Sequence, residues 1–374
     1  MPSKTLKIAA MVCRVLVGVI FAFSGFVKAV DPWGTALKVN EYLSIYGFEE
    51  LQPASMVFSI WLCGAELMMG LMLIFRVRTR LISIFALISM TFFTILTFLS
   101  ATWIPVEDCG CFGDALRLSP WKTFFKNLII LPMVVVVWYR YRHQRIFVIN
   151  KVEVALATLF CVVAMGVGTY CYFNLPLIDF LPYKVGANIY EMINRQHDTG
   201  SEEINEEEYV LVYRNRRTNK LREFSIDDKE WQNEEKWEWV ETRVDNEVSA
   251  VHTLVSEFSI TSADGDVTSQ ILARKGMVYL ICVTDLNDIS GDCRRRLRSV
   301  VEHAASNGGL AVCLTPQIMR ELTYYSFDGS EPVKCYNIDA TVLKTLLRAK
   351  NGLVVLEDGT IKGKYNCRNI DFEP

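Results

Sequence analysis

The sequence predicts a bundle of five membrane-spanning α-helices followed by an α/β domain outside the membrane. Of the 374 residues, 51% are apolar, and the mean hydropathy is +0.21 although 22% of the residues are charged. Residues 1–180 contain 15 Lys/Arg against 10 Asp/Glu, whereas the remaining residues contain 24 against 32. An apolar, weakly basic half joined to a polar, acidic half excludes a wholly soluble enzyme, a disordered chain and a basic nucleic-acid-binding protein.

Five apolar stretches approach or exceed the length of about 20 residues that a helix needs to cross a bilayer. They cover residues 8–27, 54–75, 81–103, 124–138 and 152–172. The first stretch has features of a signal peptide, but Arg14 within it, the lack of a small-x-small cleavage site and the four later stretches favour a retained helix. We therefore predict a four-helix membrane domain over residues 1–145, then a fifth helix and its exit segment over 146–186.

The basic residues that flank the spans predict the orientation of the chain. One set of flanks has nine of them: Lys4, Lys7, Arg76, Arg78, Arg80, Arg140, Arg142, Arg145 and Lys151. The other set has four: Lys28, Lys38, Arg117 and Lys122. Because Lys and Arg are enriched in cytoplasmic loops, we predict a multi-pass protein of a bacterial inner membrane with a cytoplasmic N-terminus and a periplasmic C-terminal domain.

Two ionisable side chains lie inside predicted spans, Arg14 in the first and Glu66 in the second. Charges within a membrane usually face the bundle interior and pair with one another. Counted from the span ends at about 1.5 Å per residue, the two groups lie within about one turn of the same depth. We therefore predict an Arg14–Glu66 ion pair. A role of these groups in a proton or quinone path is the alternative.

A Cys109-Gly110-Cys111 motif lies between the third and fourth spans, on the predicted outer side. A disulfide between these cysteines would close a very small, strained ring, and strain makes a disulfide easier to reduce. A labile disulfide suits thiol–disulfide exchange, and Gly110 and Gly113 allow the backbone to bend sharply. The motif therefore favours a redox pair over pairing with a distant cysteine. Metal binding ranks third, because no second pair of Cys or His lies nearby in sequence.

The first two spans and their connection carry a wider pattern: Arg14, Gly18, Phe21, Ser24-Gly25, Lys28, Asp31-Pro32-Trp33-Gly34, Tyr42-Leu43, Glu66 and Gly70. This pattern resembles the DoxX-like membrane proteins. The segment from Cys109 to Gly113 resembles the related methylamine-utilisation MauE family, so that the resemblance covers roughly residues 8–145. It implies a helical membrane bundle that works beside a thioredoxin-like partner in the maturation of a disulfide-rich periplasmic protein. Nothing in the sequence encodes an amine site.

The polar half begins with residues 187–255, predicted to be a polar linker with a β-hairpin insertion. In residues 256–374, a buried strand, a helix and a second buried strand precede a helix and a terminal hairpin, and this order resembles a thioredoxin-like domain. Only Cys293 stands where a C-x-x-C pair is expected, and Asn351-Gly352 stands where a cis-proline is expected. We therefore expect a degenerate domain that docks or presents a partner rather than catalysing dithiol chemistry.

Two further cysteines are candidates for chemistry. Cys171 lies near the outer end of the fifth span, at about the depth of the Cys-x-Cys motif, and is a candidate resolving thiol. If Ser290 caps a helix, Cys293 falls in its first turn beside three arginines, an environment that lowers a thiol pKa. The alternative for Cys293 is a semi-buried structural cysteine. Cys293, Cys335 and Cys367 are also candidates for a disulfide in an oxidising compartment.

Two functional hypotheses follow. In the first, Cys109 and Cys111 exchange electrons with a periplasmic client or a thioredoxin-like protein, and a membrane quinone restores them. The acidic neighbours Asp108 and Asp114 oppose a thiolate unless Lys28 or Lys122 offsets them. In the second, the bundle is a non-catalytic anchor that presents the degenerate domain to an envelope complex. We expect contact with membrane lipid, no metal site and no nucleic-acid partner.

Overall fold

The structure is a computed structural model. It describes residues 4–103, 110–116, 118–144, 150–199, 209–216, 221–225, 236–244, 255, 258–317 and 324–372.

Five long apolar helices form the N-terminal half of the described chain. They are α1 (Lys4–Val30), α3 (Ser55–Ile74), α4 (Thr79–Thr102), α5 (Pro120–Tyr141) and α6 (Lys151–Phe173), and each is long and apolar enough to cross a membrane. The five predicted apolar helices are confirmed, and they indicate a multi-pass membrane protein. The fourth span is longer than predicted, because Ser119 caps it and Pro120 occupies its first turn.

A shorter helix, α2 (Pro32–Ile45), connects α1 to α3 at the end of the bundle where the Cys-x-Cys motif lies. Its N-cap residue is Asp31, whose Oδ1 accepts a hydrogen bond of 3.0 Å from the Gly34 amide. Trp33 of α2 stacks on Tyr172 of α6, with ring centroids 5.9 Å apart. The connection between the first two spans is therefore built against the bundle.

Two sheets follow the bundle. The smaller contains β1 (Tyr209–Asn215), β2 (Leu221–Ser225) and β3 (Trp237–Val244), paired antiparallel in the order β2-β1-β3. This arrangement confirms the predicted hairpin and the strand that follows it. Trp237 and Phe224 pack edge to face inside this sheet, with ring centroids 4.8 Å apart and both side chains buried.

The larger sheet has eight strands. In chain order they are β4 (Ile260–Ser262), β5 (Gly265–Asp266), β6 (Met277–Val283), β7 (Leu310–Thr315), β8 (Tyr324–Tyr325), β9 (Val333–Ile338), β10 (Asn351–Glu357) and β11 (Thr360–Asn366). The order across the sheet is β11-β10-β6-β7-β9-β4-β5, and β8 pairs with β9. The β6–β7 and β7–β9 pairs are parallel, whereas the β10–β6 and β10–β11 pairs are antiparallel.

Helices cover both faces of this sheet. They are α8 (Thr268–Leu272), α9 (Gly291–Ser306) and α10 (Ala340–Leu347). Alternate residues of β6 point to opposite faces, so that Leu280 joins the core beneath α10 and Ile281 the core beneath α9. The predicted order of strand, helix, strand, then helix and hairpin is confirmed, and β9 is an additional strand that the sequence analysis did not identify.

One predicted linker is partly a helix. The sequence analysis assigns residues 187–255 to a polar linker with a hairpin, but Ile189–Thr199 form helix α7. The Asn188 side chain accepts a hydrogen bond from the Glu191 amide, which caps the helix. Ile189 and Ile193 lie one turn apart and enter the core of the α/β domain. The polar composition of the segment reflects the exposed face of an amphipathic helix.

Candidate functional site

Glycines allow α1 and α3 to pack backbone against backbone. A Cβ added at Gly25 would lie 2.2 Å from the amide nitrogen of Leu67, and one at Gly70 would lie 2.2 Å from that of Ala22. No Cβ fits at such distances, and small residues are the usual means by which membrane helices approach closely. The glycines of the sequence pattern therefore set the register between the two helices and place Glu66 beside the C-terminal end of α1.

This register buries a charged pair. Lys28 Nζ lies 2.9 and 2.8 Å from the two carboxylate oxygens of Glu66, and the two side chains are 5% and 3% exposed. The Ser24 hydroxyl lies 2.9 Å from Glu66 Oε2. Buried charges are retained where they are paired and hydrogen-bonded, and both conditions hold here. Ser24 and Lys28 lie one turn apart on the face of α1 that meets Glu66.

The Cys-x-Cys loop attaches to this pair through Ser24. The Ser24 hydroxyl lies 2.6 Å from the carbonyl oxygen of Cys111. Because a hydroxyl has one proton, it donates either to this carbonyl or to Glu66 at any moment. Gly110 and Gly113 adopt φ of +61° and +54°, and the Gly113 amide donates to the Gly110 carbonyl, which makes a tight turn around Cys111. Cys109 lies outside the described residues.

A small cavity of about 40 Å³ opens beside the cluster. Its apolar walls come from α1, α4 and α5 and include Phe21, Phe93 and Ile130. Its polar lining includes Lys28, Glu66, Cys111, Lys126 and the buried amide of Asn127. The Lys126 ammonium lies 4.1 Å from the ring centroid of Phe112, the residue that follows Cys111. The half-buried Cys111 therefore lies at the boundary between a polar cluster and an apolar cavity.

Residues 6–140 match the family model of methylamine utilisation protein MauE. The membrane region is therefore similar to this family, and residues 6–140 are called the MauE-type region below. The match runs from α1 nearly to the end of α5 and includes Lys28, Glu66 and both cysteines of the Cys-x-Cys motif. No curated protein and no solved structure matches the chain. The α/β domain lies outside the segment that the family model matches.

The predicted Arg14–Glu66 ion pair is wrong, because Glu66 pairs with Lys28 and Arg14 caps α3. Arg14 Nη1 donates to the carbonyl oxygens of Leu73 and Ile74, the latter at 2.8 Å. These carbonyls end α3, where a cation compensates the negative end of the helix dipole. The buried cations Arg14 and Lys28 thus have different roles: Arg14 caps α3, and Lys28 pairs with Glu66.

The register of the helices explains this correction. Ile74 lies beside Gly18, Gly70 beside Ala22 and Leu67 beside Gly25. In this antiparallel packing residue 66 lies beside residue 26, which is twelve residues from residue 14, or about 18 Å along the helix. Depths estimated from the ends of the apolar stretches do not include this offset, because α1 extends beyond the C-terminal end of α3.

Of the two interpretations of Cys293, the structural cysteine is confirmed and the reactive thiol is not, because Cys293 forms a disulfide with Cys367, another of the candidates for a bridge. Ser290 caps α9 as predicted, and its side chain accepts a hydrogen bond from the Cys293 amide. The disulfide joins the first turn of α9 to the segment after β11, and both cysteines are buried. Cys335, the third candidate for a bridge, is a free buried thiol beside Cys313 on the neighbouring strand.

The other cysteines of the described chain are buried to different degrees. Cys171 is a free thiol of 0% exposure within electrostatic reach of Asp31, and its proposed role as a resolving thiol stays a prediction. In the α/β domain, burial raises the pKa of Cys282 to about 12. The Cys313–Cys335 hydrogen bond, together with burial, raises the pKa of Cys313. Among the described residues no group of three or more His, Cys, Asp or Glu could hold a metal ion.

A buried ion pair that the sequence analysis missed joins the α/β domain to the MauE-type region. Arg348 Nε lies 3.0 Å from Asp31 Oδ2, and the two side chains are 3% and 9% exposed. Arg348 follows α10 with φ of +54°, and two residues separate it from β10. β10 begins beside the end of β6, since Asn351 pairs with Val283. The start of β10 therefore lies near α2, at the end of the bundle where the Cys-x-Cys loop lies.

Sequence alone contains few signals for this contact. Asp31 is recognisable as the N-cap of a helix that begins with proline, and Arg348 as a basic residue at the end of a helix. Both features explain the two residues locally, and neither indicates a partner more than 300 residues away in the chain.

Proposed function

We propose that the protein performs thiol–disulfide exchange at the outer face of a bacterial inner membrane, with Cys109 and Cys111 as the redox pair. The observation that carries the proposal is the hydrogen bond between Ser24 and the Cys111 carbonyl, which ties the loop to the buried Lys28–Glu66 pair. Residues matched by the MauE family model thereby converge on one sulfur atom and the turn that holds it.

The exchange requires an attacking thiolate and a second thiol to resolve the intermediate. The thiolate of one cysteine attacks a client disulfide, forms a mixed disulfide and releases one client thiolate. The second cysteine then attacks the mixed disulfide, closes the Cys109–Cys111 bond and releases the reduced client. The pair loses two protons and two electrons, and both electrons remain on the client sulfurs. The same steps in reverse oxidise a client dithiol.

The charges around Cys111 support this chemistry. The Lys28 ammonium lies within electrostatic reach of the Cys111 sulfur, although Glu66 compensates part of its charge. A nearby cation stabilises a thiolate. Lys28 therefore offsets the acidic neighbours of the motif, Asp108 and Asp114, which by themselves oppose the ionised sulfur.

A membrane quinone is proposed as the redox partner of the pair, with the edge of its ring approaching the opening of the cavity of about 40 Å³ beside Cys111. The walls of the cavity are largely aromatic and aliphatic, and Asn127 and Lys126 offer hydrogen-bond donors at its edge. A quinone would supply an acceptor for two electrons and two protons after a client has been oxidised.

The α/β domain is proposed to be a degenerate thioredoxin-like module that brings the client to the membrane. The strand order β7-β6-β10-β11, with a helix between β6 and β7, supports this assignment. Its single cysteine at the expected position, Cys293, is held in a disulfide, and the described residues contain no cis peptide bond. The domain therefore lacks a free dithiol of its own at this position.

A second candidate function is a non-catalytic anchor that presents the α/β domain to an envelope complex. The buried Arg348–Asp31 pair favours it, because this pair fixes the start of β10 near the bundle. In this scheme the Cys-x-Cys motif does not cycle between thiol and disulfide, which is the property that separates the two functions.

Trapping of thiols in intact cells tests the proposal. Acid quenching and alkylation should show Cys109 and Cys111 in both redox states, in a ratio that shifts when respiration is inhibited. Cys109→Ser or Cys111→Ser should accumulate a mixed disulfide with a periplasmic protein. Cys161→Ser is the matched control, since Cys161 is an exposed thiol of α6. A ratio that never changes, with no mixed disulfide in either variant, would refute exchange and leave the anchor.

A further inference from the structure

A second cavity lies at the end of the bundle opposite to the Cys-x-Cys loop. It has a volume of about 510 Å³ and lies between the α3–α4 connection and the first turn of α6. Its polar lining includes Arg76, Arg78, Thr79, Arg80, Asn150 and Glu153. Three arginines therefore surround the cavity against one carboxylate among its described lining residues.

Protein groups contact all three arginines. Arg78 Nε lies 3.9 Å from Glu153 Oε2, which is a long contact for an ion pair. Arg80 Nη1 donates a hydrogen bond of 2.7 Å to the Gln144 carbonyl oxygen, and the Arg76 guanidinium lies 6.0 Å from the ring centroid of Tyr141. The three arginines nevertheless bring three positive charges to a cavity whose described lining has one carboxylate, Glu153.

Two helices direct their positive ends toward the same cavity. α4 begins at Thr79 and α6 at Lys151, and both are more than 20 residues long. Arg78, the N-cap residue of α4, makes no side-chain capping hydrogen bond. The amide groups at a helix N-terminus and the helix dipole favour an anion, and two such ends reinforce each other here.

An independent observation points to a missing ligand. The Thr79 side chain is 1% exposed, lines the cavity, and its hydroxyl oxygen has no hydrogen-bond partner. Buried hydroxyl groups are nearly always hydrogen-bonded, and an unsatisfied one requires an explanation. An anion in the cavity would accept this hydrogen bond together with those of the arginines.

We infer that this cavity binds the phosphate group of an anionic membrane phospholipid. Phosphate oxygens match the guanidinium geometry of arginine, and basic pockets between membrane helices are sites for such headgroups. Phe75, Leu81 and Leu156 add an apolar side to the cavity, suited to the first carbons of the acyl chains. The inference is independent of the redox function, because it concerns the opposite end of the bundle.

Lipid binding by the purified full chain tests the inference. In native mass spectrometry from nanodiscs of phosphatidylcholine and phosphatidylglycerol, the protein should retain phosphatidylglycerol at least tenfold in excess of its share. Arg76→Gln and Thr79→Val should each lower this retention about tenfold, and Thr79→Ser should preserve it. Arg142→Gln is the matched control, since Arg142 lies at the same end of the bundle and does not line the cavity.

Two results would overturn the assignment. Equal losses in Arg142→Gln and Arg76→Gln would show that the selectivity arises from the general charge of this membrane face. A rise in the melting temperature with inorganic phosphate, without any rise with phosphatidylglycerol, would show that the ligand is a free phosphate. Variants that fold poorly are identified by their size-exclusion profile, and Thr79→Ser then decides whether the hydroxyl is required.

Discussion

Loss of the Cys293–Cys367 disulfide should strongly destabilise the α/β domain. A cross-link removes about 2.1 + 1.5R ln n cal/mol/K of entropy from an unfolded chain, where n is the number of residues in the closed loop. The two cysteines are 74 residues apart. The formula then gives about 15 cal/mol/K, or about 4.5 kcal/mol at 25 °C. Cys293→Ser should therefore remove a large part of the stability of a domain of this size.

Amide hydrogen exchange of the intact protein measures this loss. The slowest amides of β6 and β10 exchange through global opening of the domain, so that 4.5 kcal/mol corresponds to exchange about 10³-fold faster. Reduction of the wild-type protein should have the same effect as Cys293→Ser. Cys335→Ala is the matched control, because it removes a buried sulfur from the same sheet and no cross-link. We expect it to accelerate exchange about tenfold or less.

Non-additivity is the decisive feature of this prediction. Either single substitution removes the whole cross-link. The amides of the double variant, Cys293→Ser with Cys367→Ser, should therefore exchange no faster than those of the less stable single variant. Exchange in the double variant at the product of the two single effects would show that the cysteines act separately. Exchange in Cys293→Ser that matches Cys335→Ala would refute the structural role of the disulfide.

Three further predictions concern packing, pH and docking. Gly25→Ala should abolish the monodisperse peak in size-exclusion chromatography, because its Cβ would collide with the α3 backbone, whereas Gly166→Ala should be tolerated because nothing lies within 4 Å of its Cβ position. Burial raises the pKa of Cys282 to about 12, above the ordinary value of 9.0, so the free energy of unfolding should fall as pH rises from 9 to 12, and Cys282→Ala should flatten this dependence. Arg348→Gln or Asp31→Asn should each cost about 3–5 kcal/mol in thermal unfolding of the full chain, because each removes one partner of a buried ion pair, and the double variant should cost less than the sum.

The sequence by itself determined the elements that depend on local patterns. Runs of about 20 apolar residues identified all five spans, since a bilayer requires that length of helix. Alternation and turn residues identified the β1–β2 hairpin and the terminal β10–β11 hairpin. Ser290 identified the start of α9, because capping acts within three residues.

The tertiary structure alone decided which distant groups meet. Both Arg14 and Lys28 are cations of α1, and only the glycine-set register against α3 selects Lys28 as the partner of Glu66. Cys293 had several possible partners, and the fold brings Cys367 to it across the end of the sheet. Arg348 and Asp31 meet because the α/β domain packs against the helical bundle. Local patterns constrain the conformation of a few neighbouring residues, whereas these contacts depend on the relative placement of whole helices and sheets.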